Sequence, residues 1–342
     1  MNNDLRLAQL RTWLTNQTLD LQFFKGKLDN TNIELTSASS DASFRRYFRL
    51  KLNNQTLIVM DAPPPQENQS CQPFIKIANL LADQGLNVPH ILASDPEQGF
   101  LLLTDLGTHT WLEILNVQNA DSLFTQAIDS LIKLQQASLT AELPSYNEAL
   151  LQRELSLFPE WYLNRHCNIV LTETQQLLWE KNCKKLINSA LQQPKVLVHR
   201  DYMPRNLMQS KPNPGVLDFQ DAVYGPITYD ITCLFKDAFI SWPQAKVEQW
   251  LKHYWQKAKQ QNIPVHESFE AFQLASDLMG VQRHLKVIGI FARILHRDGK
   301  PKYVKDVPRF FTYINEVISR RPEELQELKQ LLAELNLPEN QL

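Results

Sequence analysis

The segment His199-Arg200-Asp201-Tyr202-Met203-Pro204-Arg205-Asn206 places an acid five residues before an amide, and a second acid, Asp218, follows twelve residues after the asparagine. Written as spacing, this is H-R-D-x-x-x-x-N and then a lone carboxylate in Val216-Leu217-Asp218-Phe219. Phosphoryl transfer uses such a set. One carboxylate orients the attacking hydroxyl and takes its proton late in the transfer, while an amide oxygen and another carboxylate hold Mg2+ against nucleotide phosphates. Asp201 is therefore the candidate base. Asn206 and Asp218 are the candidate metal ligands, hard oxygen donors of the kind Mg2+ takes alongside water and phosphate. Taken singly, Asn206 is a turn residue and Asp218 a helix cap; the spacing is what joins them. His199 and Arg200 read as groups that orient the loop by hydrogen bonding to backbone. Asp221, three residues after Asp218, is either an exposed turn residue or a contact for a second metal or a substrate hydroxyl. Asp230 opens a helix and reads as structural, satisfying backbone groups near the loop.

The elements around these residues follow from periodicity. Residues 5–30 read as helix, with Leu5, Leu10 and Leu14 on one side. In Phe44 to Leu52, Phe44, Phe48, Leu50 and Leu52 share one face and Arg45, Tyr47, Arg49 and Lys51 the other, a strand pattern. Asn53-Asn54 suits a two-residue turn, Thr56 to Met60 returns as the partner strand, and Pro63-Pro64-Pro65 ends it. A helix over 71–84 stops at Gly85, and short strands follow at 90–93 and 100–104. Beyond about 109 the chain reads as helical except around the motif, where 206–209 and 215–219 form a hairpin about Lys211-Pro212-Asn213-Pro214. Later helices are expected at 226–240, 243–262, 267–298, 306–320 and 322–335. The fold class is α+β in two lobes: a small β-rich lobe over 1–104 that binds nucleotide, and a larger helical lobe over 105–342 with the catalytic loop and substrate site.

The 267–298 helix carries a core stripe at Leu274, Leu278, Val281, Leu285, Ile288, Ala292 and Leu295. A second stripe holds Arg283, Lys286, Arg293 and Arg297. It is either a solvated basic face or, through Arg283 and the adjacent His284, a contact for an anionic or polyhydroxylated substrate.

Composition removes several alternatives. A hydrophobic fraction of 43%, a charged fraction of 21% and a net charge of −2 over 342 residues are those of a globular protein with no basic field for nucleic acid or anionic membrane. No apolar run is long enough to span a bilayer, and the first residues lack a secretory pattern. Cys71, Cys167, Cys183 and Cys233 are widely spaced and form no C-x-x-C, which fits a reducing cytoplasm. With nine glycines, the chain contains neither a P-loop nor a dinucleotide-binding fingerprint.

Residues 199–230 resemble the aminoglycoside phosphotransferase-like kinases. Four stretches narrow the likeness to the N-acetylmuramate/N-acetylglucosamine anomeric kinases of cell-wall recycling: Ser39 to Arg49, Leu217 to Pro226, Gln282 to Val287, and Phe291 to Lys300. The resemblance implies a protein-kinase-like fold, ATP and Mg2+ as cofactors, and an amino-sugar substrate phosphorylated at its anomeric hydroxyl. It also places a nucleotide-covering loop at Ser40, Asp41, Ser43, Phe44 and Arg45, and backbone contacts to adenine at Thr104, Asp105 and Leu106. Two departures stand out. The covering loop has no glycine, and Met60 occupies the strand position where many kinases carry the phosphate-binding lysine. Arg45, Arg46 and Lys76 are the candidate replacements. Two other readings remain: a different small-molecule acceptor such as an aminoglycoside, or a nucleotide-binding pseudokinase.

Overall fold

The computed structural model describes residues 4–29, 33–39, 45–63, 71–137 and 143–340. By packing, the chain divides into one unit of residues 1–110 with 207–221 and a second of 111–206 with 222–342. The sequence-based division is a single cut after Thr104; the chain instead crosses between units three times, because the segment after the motif returns to the first.

In the first unit, α1 (Leu5–Thr15) begins where the Asp4 carboxylate caps the Leu7 N–H at 3.0 Å. The helix expected to reach residue 30 stops here. A hairpin of β1 (Thr18–Leu21) and β2 (Phe24–Lys27) follows, with Leu19 opposite Gly26. Gly26 has φ of +138°, which a residue with a β-carbon rarely adopts, and the chain there is extended rather than helical.

The main sheet contains β3 (Glu34–Ser39), β4 (Arg46–Leu52), β5 (Gln55–Asp61), β6 (Ile91–Asp95) and β7 (Phe100–Thr104) in the order β3-β4-β5-β7-β6, all neighbours antiparallel. β3 has no counterpart in the sequence reading. Asn53, at φ of +54°, makes the expected turn between β4 and β5. Cross-strand partners share a face. Phe48 opposes Val59 and Leu50 opposes Leu57, and this face packs with Leu10, Trp13 and Leu14 of α1, Phe100 and Leu102 into one apolar core. Tyr47 and Leu101 flank Met60 on the other face, and Met60 is fully buried. α2 (Gln72–Asp83) ends ahead of Gly85, which takes φ of +73° as expected for a helix stop. The hairpin pairs Leu207–Met208 with Gly215–Val216, and the Asn87 carbonyl accepts the Val216 N–H, which ties it to the rest of the unit.

The second unit is helical: α3 (Trp111–Ile114), α4 (Ala120–Gln135), α5 (Glu148–Leu157), a π-helical segment (Phe158–His166), α6 (Glu173–Gln192), α7 (Thr228–Phe235), α8 (Gln244–Gln260), α9 (Phe269–Asp298), α10 (Val307–Arg320) and α11 (Gln326–Leu335). An antiparallel strand pair joins Lys195–Val198 to Val223–Pro226 and delivers the chain to His199. α9 is the spine. Ser268 caps its start and Gly299, at φ of +66°, its end. Its middle is buried on every side: Val281, Leu285 and Ile288 are core as expected, but Gln282, Arg283, His284 and Lys286 are buried too. The basic stripe is therefore not a solvated face at its first two positions; only Arg293 and Arg297 reach solvent.

Candidate active site

Six residues other than glycine have positive φ among the described residues. Four are asparagines, which tolerate it, and the other two are Arg200 (+76°) and Asp218 (+65°). For Arg200 this conformation costs on the order of 1–2 kcal/mol, whereas aspartate, like asparagine, tolerates it. Strain of this kind persists only where the surroundings impose it, and here it falls on Arg200, the residue directly before Asp201.

In the second unit the surroundings of the loop are explicit. The Asp230 carboxylate accepts the N–H groups of His199 (2.7 Å) and Arg200 (2.9 Å), the backbone role expected for it. Burial pushes the Asp230 carboxyl up to about 7 against the pull of those two donors. His199 Nδ1 accepts the Asp201 N–H at 3.2 Å, and the buried ring stands edge-on to Tyr202, whose hydroxyl donates to the Ala127 carbonyl at 2.9 Å. Asp201 itself is partly open. Asn206 Nδ2 donates to the Asp201 carbonyl at 2.9 Å, which turns the amide oxygen to the opposite side. Between them, Arg205 lies over the rings of Phe239 (5.5 Å) and Tyr303 (5.9 Å).

The Arg200 side chain goes to another side chain, not to backbone as expected from sequence. Its guanidinium meets Glu154 Oε1 at 2.6 Å. Lys286 Nζ meets the same oxygen at 2.8 Å, and Oε2 accepts from the Tyr146 hydroxyl and from Gln282 Nε2 (3.2 Å). Lys286 also donates to the Tyr229 hydroxyl at 2.9 Å. Burial opposes ionisation of Glu154, yet Lys286 and Arg200 outweigh it and bring the carboxyl down to about 2. The sequence assigns no role to Glu154, Tyr146, Tyr229 or Gln282, although Gln282 opens one of the stretches that carry the family resemblance. A signal existed: Glu154 sits between Leu151 and Leu155 on the apolar stripe of α5, where an acid needs a buried partner. Arg283, 2% exposed, donates to the Lys236 carbonyl at 3.4 Å; burial pulls its guanidinium down, and Cys233, Tyr229, Asp201 and Asp237 more than reverse that. His284 is fully buried beside Phe310 and Tyr313, and burial pulls its imidazole well below the usual range. Both expected substrate contacts on α9 thus lie inside the unit rather than on its surface.

In the first unit, Asp218 is exposed, with Oδ1 accepting from Gln220 Nε2 at 2.9 Å, and Asp221 is exposed three residues on. Val216 pairs with Leu207, so Asn206 directly precedes one strand of the hairpin and Asp218 lies two residues beyond the other. Ser40, Asp41, Ser43 and Phe44 lie outside the described residues. Arg45, half-buried, precedes β4. Arg46 is committed elsewhere: it meets Asp61 at 2.5 Å and Asp4, while Arg6 takes the other Asp61 oxygen at 2.6 Å. Lys76 is exposed on α2. The Thr104 N–H donates to the His90 carbonyl and its hydroxyl accepts the His90 N–H. Asp105 is bound by Arg49 (2.6 Å), the Thr56 hydroxyl (2.7 Å) and the Gly107 N–H (2.9 Å). Burial raises its carboxyl and these donors more than reverse that. The side chains of Thr104 and Asp105 therefore brace the end of β7.

The residues fit Mg2+ by donor chemistry, an amide oxygen and a carboxylate being oxygen ligands of the kind it prefers. Among the described residues no cluster of three or more His, Cys, Asp or Glu side chains forms a separate metal site, and no helix is long and apolar enough to cross a membrane.

The model of the phosphotransferase enzyme family matches residues 34–272. The chain is 63% identical over 333 residues to the N-acetylmuramate/N-acetylglucosamine kinase of Pseudomonas putida, covering 97% of each protein. It is 43% identical over 335 residues to the kinase of the same name from Neisseria meningitidis, covering 96% of each. Among solved structures it resembles the ADP-bound aminoglycoside phosphotransferase APH(2'')-Ib, with a TM-score of 0.59 at 16% identity over 92% of this chain and 99% of that one. That likeness carries the fold, a protein-kinase-like arrangement with a β-sheet N-terminal region and a helical C-terminal region. With the family model spanning most of its length and near-complete coverage of the kinases, the chain belongs to the phosphotransferase enzyme family.

Proposed function

We propose that this chain is an ATP-dependent sugar kinase that phosphorylates the anomeric hydroxyl of N-acetylmuramate or N-acetylglucosamine, a step of cell-wall recycling in the cytoplasm. The observation that carries the reading is the coincidence of left-handed backbone with the motif: Arg200 and Asp218 alone, outside asparagine and glycine, hold positive φ among the described residues. The kinases that are 63% and 43% identical over nearly their whole length give the acceptor.

In this reading Asp201 orients the sugar hydroxyl and accepts its proton as the phosphoryl group departs from ATP. His199 and Asp230 fix the backbone that carries it. Asn206 and Asp218 hold Mg2+, which neutralises charge on the phosphates. Arg45 or Lys76 supplies the phosphate contact that Met60 cannot, and Asp221 contacts the acceptor. The buried Arg283 and Lys286 put cationic charge behind Asp201, a background that favours a neutral or carboxylate-bearing sugar over a polycationic aminoglycoside.

The test is ATP consumption with N-acetylmuramate, N-acetylglucosamine and an aminoglycoside, together with a reducing-end assay of the product. Turnover with an amino sugar and loss of its reducing end are expected, because only 1-phosphorylation removes that end. Asp201→Asn is expected to fold normally and lose about 10²–10⁴-fold in kcat. Undiminished turnover in that variant, or a product that still reduces, sinks the assignment.

A further inference from the structure

The positive φ of Arg200 is unusual in that a side chain is retained where glycine would sit without strain. Two things hold the residue there. Its N–H and that of His199 are taken by Asp230, and its guanidinium is drawn into the buried carboxylate of Glu154 at 2.6 Å. Glu154 is itself fixed from three other elements. Lys286 and Gln282 reach it from α9 (2.8 and 3.2 Å), Tyr146 reaches it from the segment before α5, and Lys286 is held by Tyr229 of α7. The Arg200 guanidinium also lies over the Tyr146 ring at 5.8 Å. Both oxygens of the carboxylate are therefore occupied, Oε1 by Arg200 and Lys286 and Oε2 by Tyr146 and Gln282. A fully partnered buried charge of this kind adds little net stability but allows one geometry only.

From this we propose that Glu154, supported by Lys286, is a positioning residue that sets the Asp201 loop through Arg200. The carboxylate touches no reacting atom; it fixes the rotation of the backbone one residue before the base. Asp201 follows Arg200 directly, so a change in the φ of Arg200 swings the Asp201 carboxylate away from an acceptor hydroxyl. The proposal rests on the kinase reading for its kinetic consequences, but its structural consequence can be read without any acceptor.

The experiment compares the full chain with Glu154→Gln, Arg200→Gly and the two combined, with activity expressed per folded molecule by circular dichroism. Glu154→Gln is expected to lower kcat by about 10²-fold, the cost of a misplaced catalytic group, while KM for ATP and sugar moves little. In the Arg200→Gly background the same substitution is expected to change kcat by less than about twofold, since glycine keeps positive φ without an anchor. An equal loss in both backgrounds, or no loss in the first, overturns the proposal. If Glu154→Gln does not fold, Glu154→Asp, which withdraws the same charge by one methylene, takes its place in both backgrounds. Crystal structures of the folded variants give the second readout. Arg200 leaving positive φ when Glu154 is changed supports the proposal, and an unaltered 199–201 backbone refutes it. Should the unsubstituted chain consume no ATP with any amino sugar, the kinase reading fails and the crystallographic comparison alone decides the proposal.

Discussion

At the scale of single residues, Arg46 shows how partners decide among candidates that sequence leaves equal. Three cations stood as replacements for the lysine absent at Met60. Arg46 pairs across the ladder with Asp61, on the face that packs against α1, and with Arg6 it brackets a carboxylate that is fully buried. Removing one of the two arginines leaves that charge half-compensated. Arg46→Leu is expected to lower unfolding stability by about 2–3 kcal/mol, short of the cost of breaking a buried pair outright because Arg6 remains. The kcat/KM for ATP per folded molecule is expected to change less than roughly threefold. Urea unfolding and ATP titration of one preparation check both; a selective loss of ATP affinity at full stability would return Arg46 to the phosphates. The sequence already hinted at the outcome, since Arg46 falls in register with Phe48, Leu50 and Leu52 rather than with Arg45 and Arg49. Asp61 was the missing half of the inference, and register alone reveals it.

At the scale of elements, local signals were legible wherever a short stretch sufficed. The stop of α2 at Gly85, the Asn53 turn, the hairpin after Asn206 and the long α9 all follow from turn chemistry and periodicity. The end of α1 is not legible in the leucine spacing before Thr15, because the helical pattern runs on into a segment whose Leu19 and Gly26 pair as strand partners. The strand at Lys195–Val198 carries no local signal because its partner, Val223–Pro226, lies across the motif. The surroundings of α9 were the largest gap: a stripe tells which side meets one neighbour, not that neighbours close on every side. Gly289 records that closure. A β-carbon there would lie 2.4 Å from the backbone of Leu157, at the junction of α5 with the π-helical segment. Backbone cannot swing aside as a side-chain tip can. Gly289→Ala, favourable in an isolated helix, is expected to destabilise the protein by about 1–3 kcal/mol. Unfolding midpoints with urea measure it, and a stabilised variant would mean that α9 and the π-helical segment separate readily.

At the scale of the whole molecule, acids buried in the helical unit give stability a pH profile with two opposed limbs. Glu154 has its carboxyl lowered from 4.5 to about 2, so between those values the unfolded chain binds the extra proton. Its contribution is present above 4.5 and is lost as pH falls through about 2, amounting to about 3 kcal/mol at 1.4 kcal/mol per pH unit. Asp237 and Asp230 act in the other direction. Burial raises their carboxyls from 3.8 to about 6 and about 7, so over those ranges the folded chain binds the extra proton. Their contribution is complete below 3.8 and lost as pH rises through about 6 and 7. Each group can be tested separately. Glu154→Gln is expected to flatten the acid limb between pH 2 and 4.5, whatever it does to absolute stability. Asp237→Asn keeps an oxygen to accept the N–H groups of Phe239 and Ile240 and is expected to reduce the slope by about half between 3.8 and about 6, leaving the share of Asp230. Urea titrations at half-unit pH steps on the three proteins give the slopes. If Glu154→Gln runs parallel to the unsubstituted chain below pH 4.5, the carboxylate is not held ionised by Arg200 and Lys286, and the clamp on the Asp201 loop loses its electrostatic basis.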